Sequence, residues 1–170
     1  IFPGTGYLEL ARAAAVAISP SMSVLHGVFF LQPLAVESPG LHVDCVITDG
    51  RFEIRSGDGG SEEVTHCSGS VIQSAGDIDH HVDHALVRAI SCVRTADVLA
   101  LYDSFDAVGV QYGPGYRTLE RAWSSGSSES SASAARLRAR TTQQGTQVHP
   151  ADLDDALCVS ALVLRGTGEA

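Results

Sequence analysis

Residues 41–56, LHVDCVITDGRFEIRS, contain two short stretches of alternating apolar and polar residues joined by Asp49-Gly50. Asp-Gly between alternating stretches is the strongest short signal for a β-hairpin, because both positions of the tight turn need a positive φ angle. Alternation with a period of two is typical of strands that bury one face. The stretch therefore predicts an antiparallel hairpin.

The first half of the chain reads as one helix followed by a meander of strands. Residues 4–19 follow Pro3 and carry an apolar stripe at helical spacing, with Thr5 as the expected N-cap and Pro20 as the stop. Two further β segments flank the hairpin, residues 23–37 and 62–72. One helix with antiparallel strands predicts an α+β class.

The second half repeats this pattern. Residues 95–110 predict a helix capped by Thr95 and closed by Gly109, and a final helix is predicted to start near Pro150. Strands are predicted over 115–125 and 132–141, around the Ser-rich loop 124–131. Between the halves, the polar run that follows Gln73 is typical of a linker. The domain prediction is therefore an N-terminal half over 1–73, a linker over 74–94 and a C-terminal half over 95–170.

Composition narrows the classes of function. The net charge is −9, from 20 acids against 11 bases that are all Arg, which argues against a general nucleic-acid binder. Four scattered cysteines without a CxxC pair indicate reduced thiols in a cytoplasmic protein, and no apolar run is long enough to span a membrane. The run 77–84 holds three acids and three histidines, but without a second cluster it favours a solvated loop over a metal site.

Three stretches together resemble the dehydratase domain of polyketide synthases and animal-type fatty acid synthases. FPGTGYLELA (2–11) resembles the end of the HxxxGxxxxP motif, GVQYGPGYRTL (109–119) the GYxYGPxF motif, and HPADLDDALC (149–158) the HPxxLDxxxQ/H motif. The resemblance implies a double hot-dog fold, two antiparallel sheets each wrapped around a central helix. It also places the family's catalytic histidine nine positions before Pro3, so both ends of the domain are expected to lie outside the sequence.

The resemblance further implies the reaction and its residues. It implies dehydration of a β-hydroxyacyl thioester on the phosphopantetheine of an acyl carrier protein, without a metal or a diffusible cofactor. Asp154 is implied as the proton donor, a histidine upstream of Ile1 as the base, and His149 as a supporting residue. The implied substrate-binding residues are Pro3, Gly4, Tyr112, Gly113, Pro114 and Cys158.

Two adjacent acids follow Leu153, and helical geometry predicts different environments for them. On a helix from Pro150, Asp154 shares a face with Leu157 and Cys158 that is expected to point towards the sheet. Asp155 lies about 100° further round the helix, and we expect it to be the more solvated acid. Both acids also suit the first turn of a helix, whose dipole favours negative charge.

Departures from the family pattern keep other functions open. Cys158 stands where the family has Gln or His, which supports a degenerate domain kept for structure or docking. A product-template domain, which guides aldol cyclisation on a related fold, is a third reading. The expected partners are the acyl carrier protein, the neighbouring synthase domains and a second copy in a homodimer. Arg136, Arg138 and Arg140 alternate as an exposed strand face would, or as a surface for an acidic carrier protein.

Overall fold

The computed structural model describes residues 1–36, 40–57, 63–73, 82–125, 132–142 and 144–164. The chain divides into two compact units, residues 1–79 and 80–170. The division falls inside the predicted linker 74–94, of which residues 74–81 lie outside the described ranges. Residues 84–90 of that segment form a helix.

Unit 1 consists of one helix and a four-stranded antiparallel sheet. The helix α1 spans Gly4–Ile18, and the strands are β1 (Met22–Phe30), β2 (His42–Thr48), β3 (Arg51–Gly57) and β4 (Val64–Gln73). Their order in the sheet is β1-β4-β3-β2. The predicted helix and antiparallel strands are confirmed, and β2, β3 and β4 form a meander, but β1 pairs with β4 instead of β2. The N-cap of α1 is Pro3, and Thr5 is a buried residue inside the helix.

The Asp49-Gly50 hairpin forms as the sequence predicts. Thr48 pairs with Arg51 across the turn, and the φ angles of Asp49 and Gly50 are 49° and 72°. These two left-handed positions match a turn whose twist suits the flanking strands. The alternation in β3 then buries Phe52 and Ile54 against α1.

Unit 2 carries a three-stranded antiparallel sheet in the order β5-β6-β7 and four helices within the described residues. The strands are β5 (Arg94–Ala96), β6 (Leu119–Ser124) and β7 (Ser133–Leu137). The helices are α2 (His84–Ile90), α3 (Val98–Ala107), α4 (Pro150–Cys158) and α5 (Ala161–Leu164). The α+β class is therefore confirmed in both units.

The predicted start of α3 was two residues too early. Thr95 lies in β5, and the N-cap is Asp97, whose carboxylate accepts hydrogen bonds from the backbone N–H groups of Leu99 and Ala100. Aspartate is as good an N-cap as threonine, so the sequence offered two candidates and strand pairing decided between them. The helix ends before Gly109, whose φ of 86° is the left-handed conformation expected after a helix end.

The predicted strand face of Arg136, Arg138 and Arg140 is not observed, because β7 ends at Leu137. Arg138 donates to the carbonyl of Arg117 at 2.5 Å, and Arg140 donates to Asp152 at 2.7 Å. These two guanidinium groups attach the segment after β7 to the residues before β6 and to the helix α4. None of the described helices has the length and apolar character needed to cross a bilayer.

Candidate active site

The helix α4 begins where the sequence predicts, at Pro150. His149 is its N-cap, and the Nδ1 of His149 accepts a hydrogen bond from the backbone N–H of Ala151 at 3.2 Å. Proline suits the first helical position because it has no N–H to leave unpaired. Asp152 lies in the first turn and binds Arg140, which fixes the start of α4 against the segment after β7.

Tyr112 lies on the loop between α3 and β6, just before a 3-10 turn over Pro114–Tyr116. Its ring packs against Tyr102 at a centroid distance of 5.8 Å and edge-on against Phe105 at 5.5 Å. The carbonyl of Tyr112 accepts a hydrogen bond from Nε of Arg117 at 2.8 Å. Ring packing and this hydrogen bond together fix the direction in which the phenol points.

The hydroxyl of Tyr112 joins two of the predicted site residues on α4. The thiol of Cys158 donates to this hydroxyl at 3.0 Å, and the carboxylate of Asp154 lies close enough to interact with the phenol. Burial raises the pKa of Tyr112, and the contacts with Cys158 and Asp154 raise it further. The phenol therefore stays protonated and can act as a hydrogen-bond donor to the acid.

Asp154 is partly buried, and so are the two tyrosines of the facing loop, Tyr112 and Tyr116. Burial is the main reason that the pKa of Tyr116 is raised, and the charge of Asp154 adds to it. Burial also raises the pKa of the Cys158 thiol, which is only 8% exposed. A half-buried carboxyl beside two phenols and a neutral thiol is suited to exchanging a proton with a bound substrate.

A family model described as the polyketide synthase dehydratase N-terminal domain matches residues 82–169, just over half of the 170-residue chain. The chain belongs to the polyketide synthase dehydratase family. The polyketide synthase ThaG of Burkholderia thailandensis is 33% identical over 169 residues, which cover 92% of this chain and 3% of that protein. The chain therefore corresponds to a small part of this relative's length.

Solved dehydratase domains share the fold. The dehydratase from the terminal module of the rifamycin polyketide synthase gives a TM-score of 0.76 at 24% identity, covering 96% of this chain and 63% of that one. An inactive CurK dehydratase mutant, in which an aspartate is replaced by asparagine, gives a TM-score of 0.75 at 19% identity, covering 95% and 59%. The dehydratase hot-dog class implied by the sequence motifs is confirmed.

The structure brings together in unit 2 three residues that the dehydratase motifs assign to the site, Tyr112, Asp154 and Cys158. His149, the N-cap of α4, precedes the acid by five residues. Gly113 and Pro114 lie on the exposed part of the same loop, where Pro114 opens the 3-10 turn. Pro3 and Gly4 belong to unit 1. There Pro3 accepts a hydrogen bond from the N–H of Gly6 at 2.9 Å, and Gly4 faces the ring of Phe30.

The expectation that Asp155 is the more solvated acid is wrong. Asp155 is 0% exposed, while Leu157, expected on the inward face, is 55% exposed. Tyr102 donates to one carboxylate oxygen of Asp155 at 2.7 Å, and the backbone N–H and the hydroxyl of Thr118 donate to the other, the hydroxyl at 2.6 Å. These donors replace water around the carboxylate, which is why a charged side chain can be buried here.

Sequence reasoning missed Tyr102 and Thr118 as part of the site. They lie 53 and 37 residues from Asp155 in the chain, so no local pattern links them to it. The sequence did contain one signal for a buried acid, the pair of adjacent aspartates. A helix with one side against the core directs only one of two adjacent residues inward. Which of the two is buried depends on where the other elements place their donors.

Among the histidines that the structure describes, no second cluster of site residues is found. His66 is buried and satisfied, with the Ser56 hydroxyl at 2.7 Å from Nε2 and the Gln32 carbonyl at 3.2 Å from Nδ1. Of the acidic and histidine-rich run, Asp83 caps α2, and no metal-binding group of three or more ligands occurs among the described residues. His84 is the first residue of α2, and the members of the run at 77, 79, 80 and 81 lie outside the described ranges.

Proposed function

We propose that this chain catalyses the dehydration of a β-hydroxyacyl thioester to the α,β-unsaturated thioester, with Asp154 as the proton donor. The observation that carries the proposal is the contact of Tyr112 with both Asp154 and Cys158, which gathers residues from two dehydratase motifs. The substrate is held on the phosphopantetheine of an acyl carrier protein. The neighbouring synthase domains and a second copy of the chain are the other proposed partners.

In the proposed elimination, a histidine that the family motif places before Ile1 removes the proton on the α-carbon. The electron pair of that C–H bond forms the double bond, and the bond from the β-carbon to its hydroxyl oxygen breaks. Asp154 transfers its proton to the departing hydroxyl, which leaves as water. The proton then passes back from the histidine to Asp154, so the enzyme is unchanged after each turnover.

This role requires Asp154 to hold a proton near neutral pH. The N-terminus of α4 and donation from the Tyr112 hydroxyl favour the anion, whereas removal of the carboxyl from water beneath a bound acyl chain favours the neutral acid. Donation from the Tyr112 hydroxyl engages one carboxyl oxygen and leaves the other available for the proton. Cys158, in the position of the family's Gln or His, contributes its hydrogen bond to Tyr112 and so acts on the acid through the phenol.

The solved neighbours support an aspartate and a histidine in the chemistry. The CurK dehydratase is described as an inactive mutant in one structure with aspartate changed to asparagine, and in another with histidine changed to phenylalanine. Those descriptions concern CurK. They motivate the assignment of Asp154 in this chain, where the motif and the surroundings of the side chain agree.

The test is Asp154→Asn in the full-length protein that carries this chain, with formation of the enoyl thioester measured by mass spectrometry. We expect loss of product by a factor of about 10³ or more, since asparagine has no proton to give at this position. Asp103→Asn is the control, because Asp103 is an exposed aspartate on α3. Unchanged product formation by Asp154→Asn refutes the assignment.

The second candidate function is a non-catalytic domain kept for structure or docking, and the observation that favours it is Cys158 in place of Gln or His. This alternative predicts that the unaltered protein forms no enoyl thioester either. The same assay decides between the two functions, because the enzyme must show product before substitution and lose it afterwards.

A further inference from the structure

The buried carboxylate of Asp155 links three elements of unit 2 by hydrogen bonds. Its carboxylate lies on α4 and accepts hydrogen bonds from Tyr102 on α3 and from Thr118 next to the start of β6. The Tyr102 hydroxyl itself accepts from the backbone N–H of Leu119 at 3.4 Å, which leaves its own hydrogen for Asp155. Every contact therefore uses Asp155 as an acceptor, which is the role of an ionised carboxylate.

One partner of Asp155 contacts Tyr112, and the other is next in the chain to a residue that does. The Tyr102 ring packs directly against the Tyr112 ring, with centroids 5.8 Å apart. Thr118 follows Arg117, whose Nε holds the carbonyl of Tyr112 at 2.8 Å and whose guanidinium also lies over the Tyr102 ring at 5.2 Å. Tyr112 is thus held by Tyr102, which donates to Asp155, and by Arg117, which precedes the second donor to Asp155 in the chain.

The other side of this arrangement is the helix α4 itself. Asp154 is the neighbour of Asp155 in the first turns of α4, and Cys158 lies on the next turn. Both side chains contact the Tyr112 hydroxyl. The hydrogen bonds of Asp155 therefore connect the helix that carries the acid to the loop that carries the phenol.

We infer that Asp155 is a positioning residue that sets the distance between the Asp154 carboxyl and the Tyr112 hydroxyl. The inference rests on the proposed function, in which Asp154 is the proton donor. A buried carboxylate is a poor source of stability, because apolar side chains of similar size often hold a helix as well without the desolvation cost. Three hydrogen bonds in different directions fix a helix more narrowly than apolar packing does, and a proton donor needs that accuracy.

The experiment compares three near-isosteric variants in the full-length protein, with kcat and KM measured separately for a β-hydroxyacyl thioester substrate. Asp155→Asn changes the common acceptor of the hydrogen bonds. Tyr102→Phe removes one donor, and Thr118→Val removes a hydroxyl donor but keeps the backbone N–H. We expect kcat to fall by about 100-fold in Asp155→Asn and by about 10-fold in the other two, because small misplacements of a reacting group cost this much. KM should stay within about twofold, since substrate contacts are retained.

A double variant separates positioning from a general loss of stability. Tyr102→Phe should add little to the kcat loss of Asp155→Asn, because both changes act on one hydrogen bond. Additive losses, or losses in KM with kcat unchanged, overturn the inference. If Asp155→Asn fails to fold, Thr118→Val and Tyr102→Phe decide: normal kcat in both overturns it, and reduced kcat at normal KM supports it.

The outcomes for Asp154 and Asp155 are distinguishable. If Asp154→Asn abolishes elimination while Asp155→Asn keeps its full kcat, the proposed function stands and the positioning role of Asp155 is refuted. If Asp154→Asn keeps full activity, the proposed function fails, and the positioning role fails with it.

Discussion

The helices α1 and α4 are buried by different means in the two units. In unit 1, α1 buries Tyr7, Ala11 and Ala15 against apolar side chains of the sheet. In unit 2, α4 buries the carboxylate of Asp155 beside Tyr102, together with the thiol of Cys158. An apolar face needs only the right spacing, whereas a buried carboxylate also needs donors that other elements supply. The candidate acid Asp154 therefore lies on the helix that buries a carboxylate and not on the helix that buries an apolar face.

The largest effect on stability is expected in the apolar core of unit 1. Phe52 is fully buried on β3, and its ring lies so close to Gly69 that a side chain there would collide with it. Phe52→Ala should lower the free energy of unfolding by about 4 kcal/mol, through lost burial and the cavity left behind. Amide hydrogen exchange of the β3 and β4 peptides measures this change.

Phe29→Ala is the matched control for this prediction, because Phe29 is an exposed phenylalanine in the same sheet. Its effect should stay within about 0.5 kcal/mol. Equal losses for the two variants would show that the apolar core of unit 1 is not held by the packing of Phe52.

A somewhat smaller loss of unfolding free energy is expected when the buried hydrogen bonds of Asp155 in unit 2 are removed. Asp155→Ala leaves the buried donors of Tyr102 and Thr118 without an acceptor and should cost about 3 kcal/mol. Trp123 is the only tryptophan of the chain and lies in unit 2, so its fluorescence during urea unfolding reports on this unit. Asp103→Ala, an exposed change, should leave the midpoint almost unaltered, and a matching shift in both variants would contradict the account.

The smallest of the three effects is a pH dependence. Burial, followed by the hydrogen bond to Asp155, raises the pKa of Tyr102. The unfolded chain ionises this phenol above about pH 10, while the folded chain resists, so its contribution to stability is complete below pH 10 and is lost as the pH rises further. Above pH 10, the free energy of unfolding of Tyr102→Phe should therefore decrease less steeply than that of the unaltered chain, by about 1.4 kcal/mol per pH unit.

Urea unfolding followed by Trp123 fluorescence at several pH values measures this slope. Tyr112, Tyr116 and Cys158 also have raised pKa values and keep contributing to the alkaline loss in the variant. Parallel curves for the variant and the unaltered chain would show that Tyr102 ionises equally well in both states.

Local sequence signals predicted most of the fold. The Asp49-Gly50 turn, the end of α3 before Gly109 and the start of α4 at Pro150 are each specified by residues within a few positions of the feature. The N-cap of α3 was misplaced because Thr95 and Asp97 are both good caps, and pairing of β5 with β6 left only Asp97 free for that position.

The candidate site was predictable to a smaller extent. The dehydratase motifs pointed to Tyr112, Asp154 and Cys158, which the structure brings together on α4 and the facing loop. The surroundings of Asp155 were not predictable from the sequence. Helical spacing shows which residues of a helix share a face, but it does not show which other elements pack against that face. The burial of Asp155 depends on donors from α3 and from the residue before β6, which only the tertiary fold places next to α4.

The most direct test of the central assignment is the single-turnover rate of enoyl thioester formation by the Asp154→Asn and Asp155→Asn proteins, measured side by side in the full-length protein. Asp154 is predicted to be indispensable for the elimination, so its variant should form no detectable product, while Asp155→Asn should retain a slow rate with unchanged substrate binding. Product formation at the normal rate by Asp154→Asn would contradict the account.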